Sequence, residues 1–238
     1  MMRLDKFLCD RGFGTRSQIK KDIRAGLVQV NDSRALRPEQ KIEEESDMIC
    51  YRGQRCIYEK HVYYLLNKPA GVVSATEDRQ ERTVLDLLGE DRRKDLFPVG
   101  RLDKDTEGLL LITNDGMLAH ELLAPGKHVE KEYECHLAGH FDDRQKRALE
   151  QGVDIGDKKP ACPAVVRVLD DRKITLTITE GRFHQVKRML YAVGNEVTYL
   201  KRIRMGGVLL EAGLPKGGYR RLTKEEVESL QYDRSSHI

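Results

Sequence analysis

Apolar residues recur at helical spacing near the start of the chain. One stripe contains Leu4, Phe7 and Leu8, and a second contains Ile19 and Ile23. Glycines separate the two stripes and follow the second, so we predict two short helices joined by a turn. A short alternating segment after the second helix predicts a strand that runs into another turn.

From residue 61 onward, strand-like and helix-like segments alternate. Short apolar runs and alternating apolar and polar positions predict strands at Val62–Leu66, Leu109–Thr113, Tyr133–Ala138, Ala164–Leu169 and Lys173–Thr179. Residues suited to capping helices occur at Thr15 with Gln18, Thr83, Asp115, Asp142 with Gln145, and Thr223 with Glu226. The hairpin-like connections favour an α+β fold with a largely antiparallel mixed sheet flanked by helices.

The chain has 238 residues, which suffices for one large domain or for a large and a small one. We expect a small domain with its linker in residues 1–58 and a larger domain in residues 59–238. No segment is apolar and long enough to span a bilayer, and the start of the chain lacks the apolar region of a signal peptide. The five cysteines are odd in number and lack CxxC spacing, so we expect reduced thiols in the cytoplasm rather than disulfides or a zinc site.

Charge is distributed unevenly, although the formal net charge is only +3. The predicted second helix carries Arg16, Lys20 and Arg24 at four-residue steps, with Lys21 beside them. These steps place the first three on one helix face, where they could meet consecutive phosphates. Taken alone, such a stripe is more often the solvated surface of a helix.

The segment Gly100–Gly116 holds several acids close to the apolar run Leu109–Thr113. A carboxylate on the tight segment that enters a buried strand, as at Asp103, is held rigidly by the core behind it. Asp103 and Asp105 also resemble the opening of a calcium loop, but apolar residues replace the polar run that such a loop needs. A solvated loop and an acid–base pair remain alternatives on these residues alone.

Three motifs carry a resemblance to a known family. They are Gly-Arg-Leu-Asp, Thr-x-Gly-Leu-Leu-Leu and Thr-Asn-Asp-Gly within residues 100–116, Lys-Glu-Tyr at 131–133, and Gly-Arg-Phe-His-Gln-Val-Lys-Arg at 181–188. Together they resemble the RsuA-like group of ribosomal RNA pseudouridine synthases. The motifs follow the order and spacing of that group, and the resemblance covers nearly the whole chain.

The resemblance implies a role for three side chains. Asp103 matches the nucleophilic aspartate, and Lys187 matches the basic residue that pairs with it, with Arg188 as the alternative. Tyr133 matches the tyrosine that stacks on the target base and is placed to take the proton from its carbon 5. A cation beside Asp103 would keep it ionised in a water-poor pocket. The helix that carries Lys187 should begin near His184, for which we expect a hydrogen bond at the helix start. Because the reaction is an isomerisation, the resemblance implies no metal or other cofactor.

The first 48 residues resemble the S-four-like RNA-binding domain first known from a ribosomal small-subunit protein, on the segments Arg3–Leu8, Thr15–Arg16 and Gly26–Asn31. This implies binding of structured RNA, mainly through phosphate and shape contacts. Within this domain we predict RNA contacts from Lys6, Arg16, Lys20, Lys21 and Arg24. In the larger domain we predict them from Arg101, Arg182 and Arg188.

The combined expectation is a monomeric enzyme that converts one uridine of small-subunit ribosomal RNA to pseudouridine. The His-Gln-Val-Lys form of the third motif favours the small-subunit branch over the large-subunit relatives. Action on large-subunit ribosomal RNA remains an alternative, as does a non-catalytic ribosome-assembly factor that binds ribosomal RNA with the same fold.

Replacing the stepped basic residues together, as Arg16→Ala, Lys20→Ala and Arg24→Ala, should weaken RNA binding. Each lost phosphate contact reduces the number of counterions released when RNA binds, so the slope of log affinity against log salt should become shallower by about 2. Titration of a ribosomal RNA fragment over a salt series measures this slope. An unchanged slope in the triple variant would refute the assignment of this face.

Overall fold

The structure, a computed structural model, describes residues 1–44, 46–56 and 60–232, and the chain divides into two compact units. One unit comprises residues 1–61 with residues 90–96, and the other comprises residues 62–89 and the chain from residue 97. The boundary expected between residues 58 and 59 lies outside the described residues. No pattern in the sequence indicates that residues 90–96 belong to the first unit.

Two α-helices and six short strands make up the described part of the first unit. They are β1 (Met2–Arg3), α1 (Leu4–Asp10), α2 (Arg16–Arg24), β2 (Val28–Val30), β3 (Ser33–Arg34), β4 (Lys41–Ile42), β5 (Ile49–Tyr51) and β6 (Gln54–Cys56). β1 pairs with β4, and the others form an antiparallel sheet in the order β3-β2-β5-β6. Both predicted helices are confirmed, and their apolar stripes share one buried core.

The start of α2 shows half of the expected capping box. The Thr15 hydroxyl accepts a hydrogen bond from the backbone N–H of Gln18 at 3.3 Å. The Gln18 side chain donates to Asp22 at 2.8 Å instead of returning to Thr15. Asp22 is buried and also accepts the hydroxyl of Tyr51 on β5. A polar contact therefore adds to the apolar stripe in holding α2 on the sheet.

A nine-stranded sheet organises the described part of the second unit. Its strands are β7 (Tyr63–Lys68), β8 (Phe97–Pro98), β9 (Glu107–Thr113), β10 (Lys131–Leu137), β11 (Val165–Asp170), β12 (Lys173–Ile178), β13 (Val197–Met205), β14 (Val208–Leu209) and β15 (Tyr219–Arg221). The order is β11-β12-β10-β13-β9-β7-β15, with β8 beside β9 and β14 beside β13. Among these described strands only β9 and β13 pair in parallel, so the predicted largely antiparallel mixed sheet is confirmed.

Four α-helices complete the described part of this unit. They are α3 (Gly116–Leu123), α4 (Asp143–Gln151), α5 (Gln185–Ala192) and α6 (Lys224–Tyr232). Asp115 caps α3, and Asp142 with Gln145 forms a complete capping box on α4, as predicted. The segment after Thr83 is a 3₁₀ helix at Val84–Leu87 rather than an α-helix, as is common for so short a stretch.

Strand β9 is the most deeply buried element of the sheet, because all seven of its residues are buried. Leu109 and Leu111 pack in one cluster with Leu118 and Leu122 of α3. Burial on both faces explains why this strand has an uninterrupted apolar run. The acidic loop that precedes β9 therefore leads directly into the rigid core.

Gly108 allows the parallel pairing of β9 with β13. Its φ is +100°, and a Cβ atom at this position would lie 2.2 Å from the carbonyl oxygen of Arg202. Arg202 is the register partner of Gly108, and its Nε donates to the carbonyl of Leu109 at 2.7 Å. Only a residue without a Cβ fits so close an approach in this backbone conformation.

Gly108→Ala should lower the free energy of unfolding by at least about 2 kcal/mol, because the added methyl group collides with backbone and the positive φ disfavours L-residues. Gly116→Ala is the matched control, since no atom lies within 4 Å of a Cβ at that helical position. It should be neutral or stabilising by up to about 1 kcal/mol. Urea unfolding of both variants measures the difference, and equal stabilities would contradict the account.

Candidate active site

The loop that carries Asp103 is held by a buried lysine. Lys68, at the end of β7, has no exposed surface, and its ammonium donates to the main-chain carbonyls of Pro69, Asp103, Lys104 and Thr106 at 2.9–3.3 Å. Burial lowers the pKa of Lys68 to about 8, so the group keeps its proton at neutral pH. The ammonium thereby satisfies carbonyls that would otherwise be buried without partners, and it fixes the path of the loop.

Ser74 anchors the same loop through the residue before Asp103. Its hydroxyl donates to the carbonyl of Leu102 at 2.9 Å, and the Leu102 N–H lies 3.1 Å from the same hydroxyl oxygen. The N–H of Gly71 donates to the carbonyl of Lys104 at 2.8 Å. Backbone bonds on both sides of Asp103 therefore set its position through the fold itself.

Lys187 of α5 contacts two carboxylates of this loop. Its Nζ lies 3.2 Å from Oδ2 of Asp103 and 2.6 and 2.9 Å from the two carboxylate oxygens of Asp105. The side chains of Lys187 and Asp103 are 26% and 27% exposed, so the pair is shielded but reachable. Burial alone would lower the pKa of Lys187, but the bonds to Asp105 and Asp103 outweigh it and raise the pKa. The lysine therefore stays cationic beside Asp103.

Asp105 is a partner of Lys187 that the sequence analysis did not assign. The hydrogen bond from Lys187 holds the pKa of Asp105 below its ordinary value. Its side chain is 73% exposed, far more than that of Asp103, so the lysine bridges an outer and an inner carboxylate. The two-residue spacing of Asp103 and Asp105 was the only sequence feature that could have indicated a shared partner, but the same spacing also fits a calcium loop.

The start of α5 directs Lys187 toward the loop. Val186, Met189 and Leu190 are buried as the predicted stripe, and Lys187 lies at its edge. The helix ends at Ala192, two residues before Gly194. The buried stripe fixes the rotation of α5 about its axis, so the lysine faces the acids without depending on their attraction alone.

His184 occupies the N-cap position of α5 in the left-handed conformation, with φ 48° and ψ 33°. Its side chain makes no capping bond, so the expected role at the helix start is wrong. The ring lies beside the acidic loop instead, with Nε2 3.4 Å from Oδ1 of Asp103. A non-glycine residue at positive φ is uncommon, and such residues cluster at functional sites.

Tyr133 lies on the sheet in the same register row as the start of β9, two strands away. On β10 it is the register partner of Arg202 on β13, which is in turn the partner of Gly108 on β9. Two strand spacings, about 10 Å, therefore separate Tyr133 from the start of β9. The tyrosine is buried, and its hydroxyl has no hydrogen-bond partner among the described residues. Lys187 and Asp103 are thus in contact, whereas Tyr133 makes no direct hydrogen bond to either.

Glu107 is the first residue of β9 and directly follows the loop that carries Asp103. Its carboxylate accepts hydrogen bonds from the Tyr199 hydroxyl at 2.8 Å and from Nζ of Lys216 at 2.9 Å. Burial alone would raise the pKa of Glu107, but the bonds from Lys216 and Tyr199 outweigh it and hold the pKa below its ordinary value. Because Tyr199 belongs to β13, this charged group links the two parallel strands directly after the Asp103 loop.

All five cysteines are free thiols. Within residues 1–44, 46–56 and 60–232, no three His, Cys, Asp or Glu side chains are grouped so that they could hold a metal ion. No helix in the same described ranges is long and apolar enough to cross a membrane.

Residues 62–192 match the family model described as RNA pseudouridylate synthase, and residues 2–49 match the S4 domain. The chain belongs to the RNA pseudouridylate synthase family. It is therefore an RNA pseudouridine synthase with an N-terminal S4 domain, and the family, the α+β fold and the enzyme class expected from the sequence are confirmed.

Relatives of known sequence and structure cover almost the whole synthase. YtzG of Bacillus subtilis (strain 168), an uncharacterized RNA pseudouridine synthase, is 47% identical over 234 residues, which are 96% of this chain and 98% of that protein. Ribosomal small subunit pseudouridine synthase A of Escherichia coli (strain K12) is 40% identical over 232 residues, with 96% and 100% covered. A pseudouridylate synthase crystal structure is 38% identical, with a TM-score of 0.69 and 97% of this chain and 100% of that chain covered.

Arg182 and Arg188 of the synthase secure the segment formed by residues 155–160. Arg182 donates to two main-chain carbonyls of this segment at 2.6 and 2.9 Å, and Arg188 donates to the carbonyl of Ile155 at 3.1 Å. Both guanidinium groups also pair with Asp157. These bonds occupy donors that phosphate binding would use, which favours a structural role over the RNA contact predicted for both arginines.

The other predicted RNA-binding residues are differently placed. Arg101, in the second unit, is exposed and has no hydrogen-bond or ion-pair partner among the described residues. In the first unit, the basic residues of α1 and α2 likewise have no such side-chain partner within the described ranges, and all are exposed except Lys20, which is partly buried. Their RNA contacts stay predictions. The basic side chains in question are Lys6, Arg16, Lys20, Lys21 and Arg24.

Glu107→Gln should lower the free energy of unfolding by about 1–2 kcal/mol at neutral pH, because two donors lose a charged acceptor. The wild-type carboxyl has a lowered pKa, so its contribution is present above the ordinary glutamate pKa and disappears as the pH falls through the folded-state pKa. The stability difference between the two proteins should therefore shrink on acidification. Urea unfolding at several pH values measures it, and a constant difference down to about pH 3 would contradict the assignment.

Proposed function

We propose that this synthase isomerises one uridine of small-subunit ribosomal RNA to pseudouridine, with Asp103 as its nucleophile. The observation that carries the catalytic assignment is the contact of 3.2 Å between the Lys187 ammonium and the Asp103 carboxylate, on a loop fixed by the core. The choice of substrate is supported by relatives such as the Escherichia coli ribosomal small subunit pseudouridine synthase A, whose match covers 96% of this chain.

Asp103 promotes cleavage of the bond between the anomeric carbon and the base nitrogen. It does so by forming an adduct with the sugar or by removing a sugar proton, and both routes require an ionised carboxylate. The detached uracil turns in the pocket and bonds to the anomeric carbon through its carbon 5. This bond replaces the bond between Asp103 and the sugar on the adduct route, and on the other route Asp103 returns the sugar proton. The proton on carbon 5 then leaves, and the base nitrogen gains one, so the product is an isomer of the substrate.

Lys187 orients Asp103 and places a positive charge beside it through this sequence. Its ammonium lies 3.2 Å from Oδ2 of the Asp103 carboxylate. The second bond from Lys187 to Asp105 restrains the ammonium when Asp103 turns toward the sugar. In this role the lysine positions the reacting group and provides electrostatic stabilisation.

Tyr133 supports the turning base in this proposal. It is buried on the sheet about two strand spacings from the start of β9, and its hydroxyl has no hydrogen-bond partner among the described residues. A ring held in this way can stack on an extruded uracil, and its hydroxyl can relay the proton from carbon 5 to solvent by accepting that proton as it releases its own.

The target nucleotide must leave its stack before it reaches Asp103. Flipping costs a few kcal/mol, which RNA contacts elsewhere on the protein must offset. We assign phosphate contacts to Arg101 near the site and to the basic residues of α1 and α2 in the S4 domain. Ribosomal RNA or an assembly intermediate of the small subunit is then the partner, and we propose a monomer acting in the cytoplasm, where that RNA is assembled.

Asp103→Asn should abolish the release of tritium from small-subunit ribosomal RNA labelled at carbon 5 of its uracils, because an amide cannot take the role of the carboxylate. RNA affinity should be unchanged, since the side chain keeps its shape. Asp143→Asn, on the exposed start of α4, is the matched control and should release tritium at the wild-type rate.

Retained release by Asp103→Asn would contradict the nucleophile assignment. Mapping the product separates the remaining outcomes. Pseudouridine found in large-subunit RNA instead would overturn the substrate assignment, and binding of ribosomal RNA without any tritium release by the wild type would contradict the proposed reaction.

A further inference from the structure

Phe183 presents an aromatic ring to solvent at the edge of the active site. Its exposed fraction is 74%, and it stacks on His184 with ring centroids 3.7 Å apart and planes inclined by 19°. One face of the phenylalanine is therefore covered by the imidazole. Neither of the two described hydrophobic core clusters includes it, so core packing does not account for this aromatic residue.

The stack is in contact with the reacting carboxylate. His184 Nε2 lies 3.4 Å from Oδ1 of Asp103 at an edge of the imidazole, and Phe183 covers a face of the same ring. A base on the free face of Phe183 would therefore be separated from His184 by the phenyl ring. Such a base lies outside the contact between His184 and Asp103, which suits the nucleotide next to the target uridine rather than the uridine itself.

Two exposed lysines are held near this stack. They belong to the segment of residues 155–160 that Arg182 and Arg188 tie to the start of α5, and Arg188 also donates to the carbonyl of Phe183 at 3.0 Å. Neither the Lys158 nor the Lys159 ammonium has a hydrogen-bond or ion-pair partner among the described residues. The guanidinium groups of the two arginines are thus occupied by bonds to this segment, whereas the ammonium groups of Lys158 and Lys159 remain available to a ligand.

We propose that the Phe183–His184 stack, with Lys158 and Lys159, binds the unpaired nucleotide adjacent to the target uridine. The base stacks on the free face of Phe183, and the lysines contact its phosphate. An aromatic face beside cations on the backbone path is how proteins hold single-stranded nucleic acid without reading its sequence. The inference rests on the proposed function, because it takes RNA to pass Asp103, and it adds a binding site next to the pocket.

The absence of tryptophan from the chain allows a direct test. Phe183→Trp places a single fluorophore on the stack, and Tyr191→Trp places one near the end of α5, the helix that follows the stack, at a residue that is 80% exposed. Binding of single-stranded oligouridine should quench the emission of Phe183→Trp in a saturable way and leave that of Tyr191→Trp unchanged. The same oligomer without bases should bind with little quenching at either position.

Two fluorescence results would overturn the proposal. One is unchanged emission of Phe183→Trp while the anisotropy of a labelled oligouridine shows that it is bound. The other is equal quenching by the oligomers with and without bases, which would show that the ring does not stack on a base.

The lysines are tested by the salt dependence of oligouridine binding. Lys158→Ala with Lys159→Ala should make the slope of log affinity against log salt shallower by about 1, because single-strand phosphate contacts are lost. Arg144→Ala with Arg147→Ala removes the same charge from exposed positions on α4 and should leave the slope unchanged. Equal changes in the two double variants would refute a local phosphate contact.

Measurements of KM and kcat distinguish a failure of this proposal from a failure of the proposed function. Phe183→Leu should raise KM for small-subunit ribosomal RNA several-fold with little change in kcat, and Phe183→Tyr should restore the wild-type KM. A lowered kcat at unchanged KM in Phe183→Leu would contradict a binding role. If wild-type protein forms no pseudouridine in that RNA, the proposed function fails, and the fluorescence measurements still decide whether the stack binds a base.

Discussion

The contact between Lys187 and Asp103 is the interaction on which the chemistry of this synthase depends. It joins the helix α5 to the loop before β9 and leaves both side chains about one quarter exposed. The fixed cation sets the direction of the carboxylate and lies against its negative charge as RNA displaces water around the pair. Asp105 strengthens the arrangement by holding the same ammonium from the solvent side. The lysine is therefore already in position before substrate arrives.

The backbone around Asp103 is as constrained as its side chain. Lys68 bonds the carbonyls of the loop from within the core, and Gly108 lets β9 approach β13 closely enough for the parallel pair. Through Arg202, that pair places Tyr133 and Gly108, near the start of β9, on the same row of the sheet. The substrate therefore binds to a preformed site, so the protein needs little rearrangement during the reaction.

The fold class followed from local periodicity in the sequence, whereas the pairing of Asp103 with Lys187 was implied only by the resemblance of their motifs to the family. Five strands and the buried stripe of α5 were predicted close to their observed bounds. Strand β13 was missed because charged residues interrupt its apolar positions. The role of Lys68 was missed because the predicted strand ended at Leu66, two residues before the lysine. The backbone approach at Gly108 and the second bond to Asp105 arise from distant segments, and no local pattern records them.

The most direct test of the Lys187 contact is the single-turnover rate of pseudouridine formation at saturating small-subunit ribosomal RNA in Lys187→Met and Lys187→Arg. The methionine keeps the length of the side chain without its charge, so the rate should fall about 100-fold or more while RNA affinity stays unchanged. Arginine keeps the cation and should retain most of the rate. A wild-type rate in Lys187→Met would contradict the central claim that this ion pair sets the reactivity of Asp103.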